Sequence, residues 1–122
     1  MQLCAVRGAI TLSEDSSEAM TQAVVQLMDA LLSANQCSID QLYALQFTAT
    51  SDLKAENPAR VLRKKRPGYA KVPMLCTQEM TVEGMLPCCV RVLMQFYTKK
   101  ENPAGQPVYL EKAQQLRPDL LG

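Results

Sequence analysis

The sequence has 122 residues, 48% apolar and 20% charged, with a net charge of +1. That length and balance predict one globular domain with its own core, and no overall field for nucleic acid or an anionic membrane. Histidine is absent, which excludes Ser–His–Asp triads, Cys–His dyads and imidazole metal ligation, and leaves Arg, Lys, Asp, Glu, Tyr and Cys for any chemistry.

The first twelve residues, MQLCAVRGAITL, lack the basic leader and long apolar core of a secretory signal. Residues 3–11 predict a strand with a break or bulge at Arg7-Gly8. SEDSSE then offers helix-start chemistry, with Asp15 or Ser16 as cap. Met20, Val24, Leu27, Met28 and Leu31 recur at helical spacing, so residues 17–35 predict an amphipathic helix. Tyr43, Leu45, Phe47 and Ala49 alternate, giving a second strand over residues 42–50. After a loop, Asn57-Pro58 opens a short helix that runs to about Arg63 and places Arg60 and Arg63 on one face. RPGY is a turn. Residues 71–75 predict a third strand, with CTQEM leading out of it. Residues 88–98, CCVRVLMQFYT, are the strongest strand signal, with Val90, Val92, Met94 and Phe96 on one face and Arg91 on the other. VYLE is a last short strand. The order predicts an α+β fold.

The five cysteines, Cys4, Cys37, Cys76, Cys88 and Cys89, are odd in number and include no C-x-x-C pair. They read as free thiols and predict a cytoplasmic protein. Cys88 and Cys89 are expected on opposite faces of their strand. No window is apolar for long enough to span a bilayer. There is no glycine-rich phosphate loop and no carboxylate cluster at metal spacing, so no cofactor or metal is expected. The basic stretch Arg60, Arg63, Lys64, Lys65, Arg66 and Lys71 lacks the interleaved aromatics of a nucleic-acid platform.

Arg7 and Arg91 lie within apolar strands, where a guanidinium needs an anionic partner or an outward path. Glu79 reads equally as a surface carboxylate or as that partner. Cys76 reads as a small buried residue or as a nucleophile, and the chain offers no base to activate it. Tyr109 reads as a packing residue, Arg63 as a charge on a solvated helix face, and Arg117 as part of a tail turn. Together these cationic groups describe a site for a small polyanion.

VRGAITL, TATSDL, VPMLCTQEM, CVRVLM and VYLEKAQQLRPDL, in that order and over nearly the whole chain, resemble the monofunctional chorismate mutases of the AroH type, found in Bacillus and other bacteria. The resemblance implies a mixed β-sheet packed with helices and a homotrimeric pseudo-α/β barrel with active sites between subunits. The implied reaction is the Claisen rearrangement of chorismate to prephenate, with no proton transfer, covalent intermediate or cofactor. By position, Arg91 matches the cation that meets negative charge on the ether oxygen, and Arg7 and Tyr109 match groups that hold a substrate carboxylate. Glu79 matches the acceptor for the ring hydroxyl, and Cys76 a further polar contact to it. Arg60 and Arg63 match a basic segment at the site mouth, and Arg117 a residue of the C-terminal segment. Asn57 stands where the Bacillus-type sequence has an aromatic, and Arg60 where it has lysine. Two rivals are a non-catalytic trimeric module that binds a small carboxylate and a thiol-dependent enzyme using Cys76.

Overall fold

Alternating apolar residues build one five-stranded mixed sheet in the computed structural model, which describes residues 1–101 and 103–116. Its strands are β1 (Gln2–Thr11), β2 (Leu42–Ala49), β3 (Met74–Gln78), β4 (Cys89–Thr98) and β5 (Val108–Leu110). They lie in the order β3-β2-β4-β1-β5. β4 runs antiparallel to both β1 and β2, while the outer strands β3 and β5 pair in parallel with β2 and β1. Helices α1 (Ser17–Ala34) and α2 (Pro58–Lys65) complete the α+β architecture, and no helix among the described residues is long and apolar enough to cross a membrane.

One face of the sheet is the core. Val90, Val92, Met94 and Phe96 of β4 are buried there with Leu45 and Phe47 of β2 and Val6 and Ile10 of β1. Met20, Val24, Leu27, Met28 and Leu31 of α1 join the same cluster, as the helical spacing predicts. Gly8 makes the close approach possible: a Cβ there would lie 2.8 Å from Leu31 Cδ1. On the opposite face the 3₁₀ turn Glu111–Gln115 packs Ala113 against Ala9 and Cys89, while Leu3, Leu75 and Tyr97 stay exposed.

The helix starts follow the sequence chemistry. Ser16 Oγ accepts from the Ala19 N–H at 3.0 Å and caps α1. Asp15 instead accepts from the backbone N–H groups of Lys54 and Ala55 at 3.0 and 2.9 Å, which pins the loop before α2. Asn57 Oδ1 caps α2 through the Arg60 N–H at 3.0 Å, with Pro58 in the first turn.

Three expectations are corrected. β1 is unbroken, in register with β4 from Gln2↔Thr98 to Thr11↔Cys89, and the irregularity falls in β2 at Leu42/Ala44. The third strand starts later, at Met74, because Pro67–Lys71 forms a 3₁₀ turn that buries Tyr69 completely; Cys76 therefore lies inside the strand. Cys88 and Cys89 do not alternate along a strand, because Cys88 precedes β4 with φ +52°.

Asp52 holds that left-handed turn. One carboxylate oxygen accepts from the Thr50 hydroxyl, and the other from the Cys88 N–H at 3.0 Å and its thiol at 3.7 Å. The Thr50 hydroxyl bond, with the Cys88 contacts behind it, lowers the carboxyl's pKa against a smaller opposing effect of burial. A depressed folded-state pKa means that this stabilisation is complete above the unfolded value, near 3.9, and is lost as pH falls through the folded value. Asp52→Asn is expected to cost about 1 kcal/mol at pH 7, an amount limited by solvent screening. That corresponds to roughly 3–5 °C in Tm. Thermal unfolding at pH 7 and at pH 3 checks it: the difference from wild type narrows at the lower pH.

Candidate active site

Strand register assembles a line of polar groups across the open face. Thr77 of β3 is opposite Thr48 of β2, Thr48 is opposite Arg91 of β4, Arg91 is opposite Ala9 of β1, and Ala9 is opposite Tyr109 of β5. The neighbouring row contains Gln46, Leu93 and Arg7. These rows line a cleft of about 320 Å³ that contains Arg7, Gln46, Thr48, Glu79, Arg91, Tyr109 and Leu116. The volume suits one small organic ligand.

Glu79 follows the last residue of β3, and its N–H continues the ladder to Ala49 O at 2.8 Å. Its carboxylate Oε1 lies 3.6 Å from Arg91 Nε, with side chains 24% and 40% exposed. At that separation the two charges attract without a directional hydrogen bond, and Arg91 Nε is buried without a hydrogen-bond partner among the described residues. Beneath the pair, burial raises the Cys89 thiol's pKa, partly offset by the charge of Arg91 and a side-chain hydrogen bond with it. Arg7 is exposed, with no carboxylate within ion-pair range among the described residues. Tyr109 is buried with Ala9, Cys89 and Ala113 at the cleft wall. A half-exposed guanidinium, a second cation and a carboxylate thus meet in one cleft, which can take an anion that also carries a hydroxyl.

Cys76, Arg60 and Arg63 lie elsewhere. Cys76 is opposite Phe47 on β2 and so faces the helix side of the sheet. Its thiol donates to Asn57 Oδ1 at 3.3 Å, in a cleft of about 460 Å³ with Pro58, Thr77 and Gln78. Asn57 therefore joins α2 to β3 through one oxygen that accepts from both Arg60 N–H and Cys76 Sγ–H. Arg63 Nη1 reaches Met74 Sδ at 4.0 Å. Arg60 pairs with Glu56 at 3.6 Å with its side chain 69% exposed. Thus Arg60 and Arg63 have different neighbours although they share one short helix. Arg117 lies outside the described residues. Among the described residues no group of three or more His, Cys, Asp or Glu is placed to hold a metal ion.

The sequence pattern of the family described as "Chorismate mutase type I" matches residues 3–120. The chain belongs to that family. It is 37% identical to "Chorismate mutase AroH" of Bacillus subtilis (strain 168) over 120 residues, covering 98% of this chain and 94% of the relative. It is 41% identical to "Chorismate mutase AroH" of Thermus thermophilus over 116 residues, covering 94% and 93%. The solved "Chorismate mutase from Clostridium thermocellum Cth-682" superposes with a TM-score of 0.84 at 31% identity, covering 91% of this chain and 97% of that one.

Within this chorismate mutase fold, sequence reasoning missed Gln46, Thr48, Leu93 and Leu116 as cleft residues. Alternation in β2 does put Gln46 and Thr48 opposite to Leu45 and Phe47. Knowing that Thr48 lies beside Arg91 requires the β2/β4 register, which is a non-local fact.

The thiol reading of Cys76 finds no activating group. Burial raises its pKa above the ordinary value of 9.0, against weaker lowering by the Ala59 backbone, the Arg63 charge and Asn57. The thiolate fraction at pH 7 is therefore below that of a free thiol. Iodoacetamide labelling followed by mass spectrometry is expected to modify Cys76 more slowly than glutathione at pH 7, and equal or faster labelling contradicts the assignment.

Proposed function

We propose that the Arg7–Glu79–Arg91–Tyr109 cleft binds chorismate and carries its rearrangement to prephenate. Family membership makes the chain a chorismate mutase. The observation that carries the site assignment is the Arg91–Glu79 pair at 3.6 Å, held by register in a cleft that also contains Arg7 and Tyr109. In the reaction the ether C–O bond breaks as a C–C bond forms, and negative charge develops on the ether oxygen. Arg91 meets that charge, Glu79 accepts from the ring hydroxyl, and Arg7 with Tyr109 holds a carboxylate. A millionfold acceleration needs about 8 kcal/mol. One preorganised donor aimed at the developing charge supplies roughly 3–4 kcal/mol. Holding the enolpyruvyl arm against the ring in a reactive geometry supplies the remainder. Arginine suits the position because its planar fork can reach an ether oxygen and a carboxylate together.

The active unit in this reading is a homotrimer with sites between subunits, working in the cytoplasm in the synthesis of aromatic amino acids. Two observations support shared sites. Arg7, Glu79, Arg91 and Tyr109 line the open-face cleft, whereas Cys76 faces the helix side and Arg60 and Arg63 sit on α2. One chain therefore presents two separated half-sites. Leu3, Tyr43, Leu75, Met80 and Val82 also leave large apolar side chains exposed, a surface that association would cover. Arg63 and Cys76 of one subunit then complete the cleft of its neighbour, with Arg60 at the mouth and Arg117 on the C-terminal segment.

Purified protein is expected to consume chorismate, followed by its absorbance. Arg91→Ala or Arg91→Lys lowers kcat at least about a hundredfold with an unchanged circular dichroism spectrum, and near-normal turnover by Arg91→Ala would sink the mechanism. Cys76→Ser keeps most activity. Refolding Arg91→Ala together with Arg63→Ala regenerates roughly a quarter of the wild-type sites if the two arginines come from different subunits of a closed ring. No recovery in the mixture, with each variant trimeric by light scattering, places both arginines in one chain's site.

A further inference from the structure

Two groups buried at the floor of the cleft have no hydrogen-bond partner among the described residues, and they are complementary. Arg91 Nε carries an N–H and can only donate, while Thr48 Oγ1 can accept. Their residues are directly opposed between β2 and β4, where facing side chains have Cβ atoms about 4.5–5.5 Å apart. Arg91's other cross-strand partner is Ala9, and its same-face neighbours along β4 are Cys89 and Leu93. Thr48 is thus the only strong hydrogen-bonding side chain in that ring of four. Glu79, at 3.6 Å, holds the cation by charge and leaves the Nε–H unsatisfied. A buried donor and a buried acceptor left unmade are costly, and here they belong to residues that face each other across paired strands.

We propose that Thr48 is the positioning residue for Arg91. When Glu79 turns to the hydroxyl of a bound ligand, the Arg91 Nε–H donates to Thr48 Oγ1. That bond fixes the plane of the guanidinium and directs its terminal N–H groups at the reacting oxygen. No covalent bond changes and no proton is transferred. Energy from gripping a remote hydroxyl is thereby used to orient the charge that acts in the transition state. The inference rests on the chorismate reading of the cleft and adds to it a residue that need not touch the substrate.

Thr48→Val tests this cleanly, because valine keeps the shape and strand preference and replaces the hydroxyl with a methyl. Its kcat is expected to fall about tenfold or more, with KM changed by less than about threefold. Its Tm and oligomeric state stay at or above those of the wild type, since the hydroxyl makes no bond in the resting protein. Thr48→Ser recovers at least half of kcat. In ¹⁵N–¹H spectra the Arg91 Nε resonance, identified by its loss in Arg91→Lys, moves downfield when prephenate is added to the wild type and stays in place in Thr48→Val. Wild-type kcat in the valine variant, a serine variant as slow as valine, or a lower Tm for valine each overturns the role. Wild-type turnover in the same assay reports on the chorismate reading separately: an inactive wild type removes that reading, while the Tm comparison still shows whether the hydroxyl is bonded at rest.

Discussion

Everything about the cleft depends on β4 lying between two antiparallel neighbours. A central strand has both backbone edges committed to hydrogen bonds, so its side chains can point only into the helix layer or onto the open face. Val90, Val92, Met94 and Phe96 take the helix side. Arg91 is thereby forced onto the open face, in the middle of the sheet and with a strand on either side. Burial of the four apolar residues and placement of the charge are one event, and a register slip of one residue would undo both. The guanidinium of Arg91 is held in place by hydrophobic packing on the far side of the same strand.

The polar surroundings of Arg91 are arranged by backbone connections as much as by side-chain choice. Glu79 reaches it because β3 is parallel to β2 and its ladder extends one residue past Gln78. The entry to β4 is set by Asp52, which ties the left-handed Cys88 to the end of β2 through Thr50. Asn57 performs a similar service between α2 and β3, where one carboxamide oxygen serves both the cap of α2 and the thiol of Cys76. Short side chains that accept more than one bond thus fix the loops on which the longer charged groups depend.

Much of this was legible in the sequence where the signal is local. The spacing of Met20 to Leu31 located α1, Asn57-Pro58 located the start of α2, and the alternation in CVRVLM separated Arg91 from the core. The Arg7–Glu79–Arg91–Tyr109 grouping came from resemblance to a family, since the residues lie far apart along the chain and only strand order unites them. The errors have physical causes. Arg7-Gly8 suggested a bulge, but Gly8 is there to admit Leu31 rather than to bend the strand. The third strand starts later than its apolar run suggests because the turn that opens at RPGY continues through Lys71 and closes at Val72. Thr48 escaped notice because a threonine in a strand is unremarkable until its neighbour across the ladder is known.

Gly8 has a consequence for how such a protein can change. With Leu31 so close on the helix side, the wall between the core and the cleft is one peptide backbone thick, and Arg7 and Ala9 flank that point on the cleft side. No soft layer separates the two, so a bulkier residue on the inner surface of α1 displaces the strand bearing Arg7. Core and cleft are therefore a single mechanical unit, and the side chains that α1 can carry on its inner surface are limited by the strand that forms the cleft's floor.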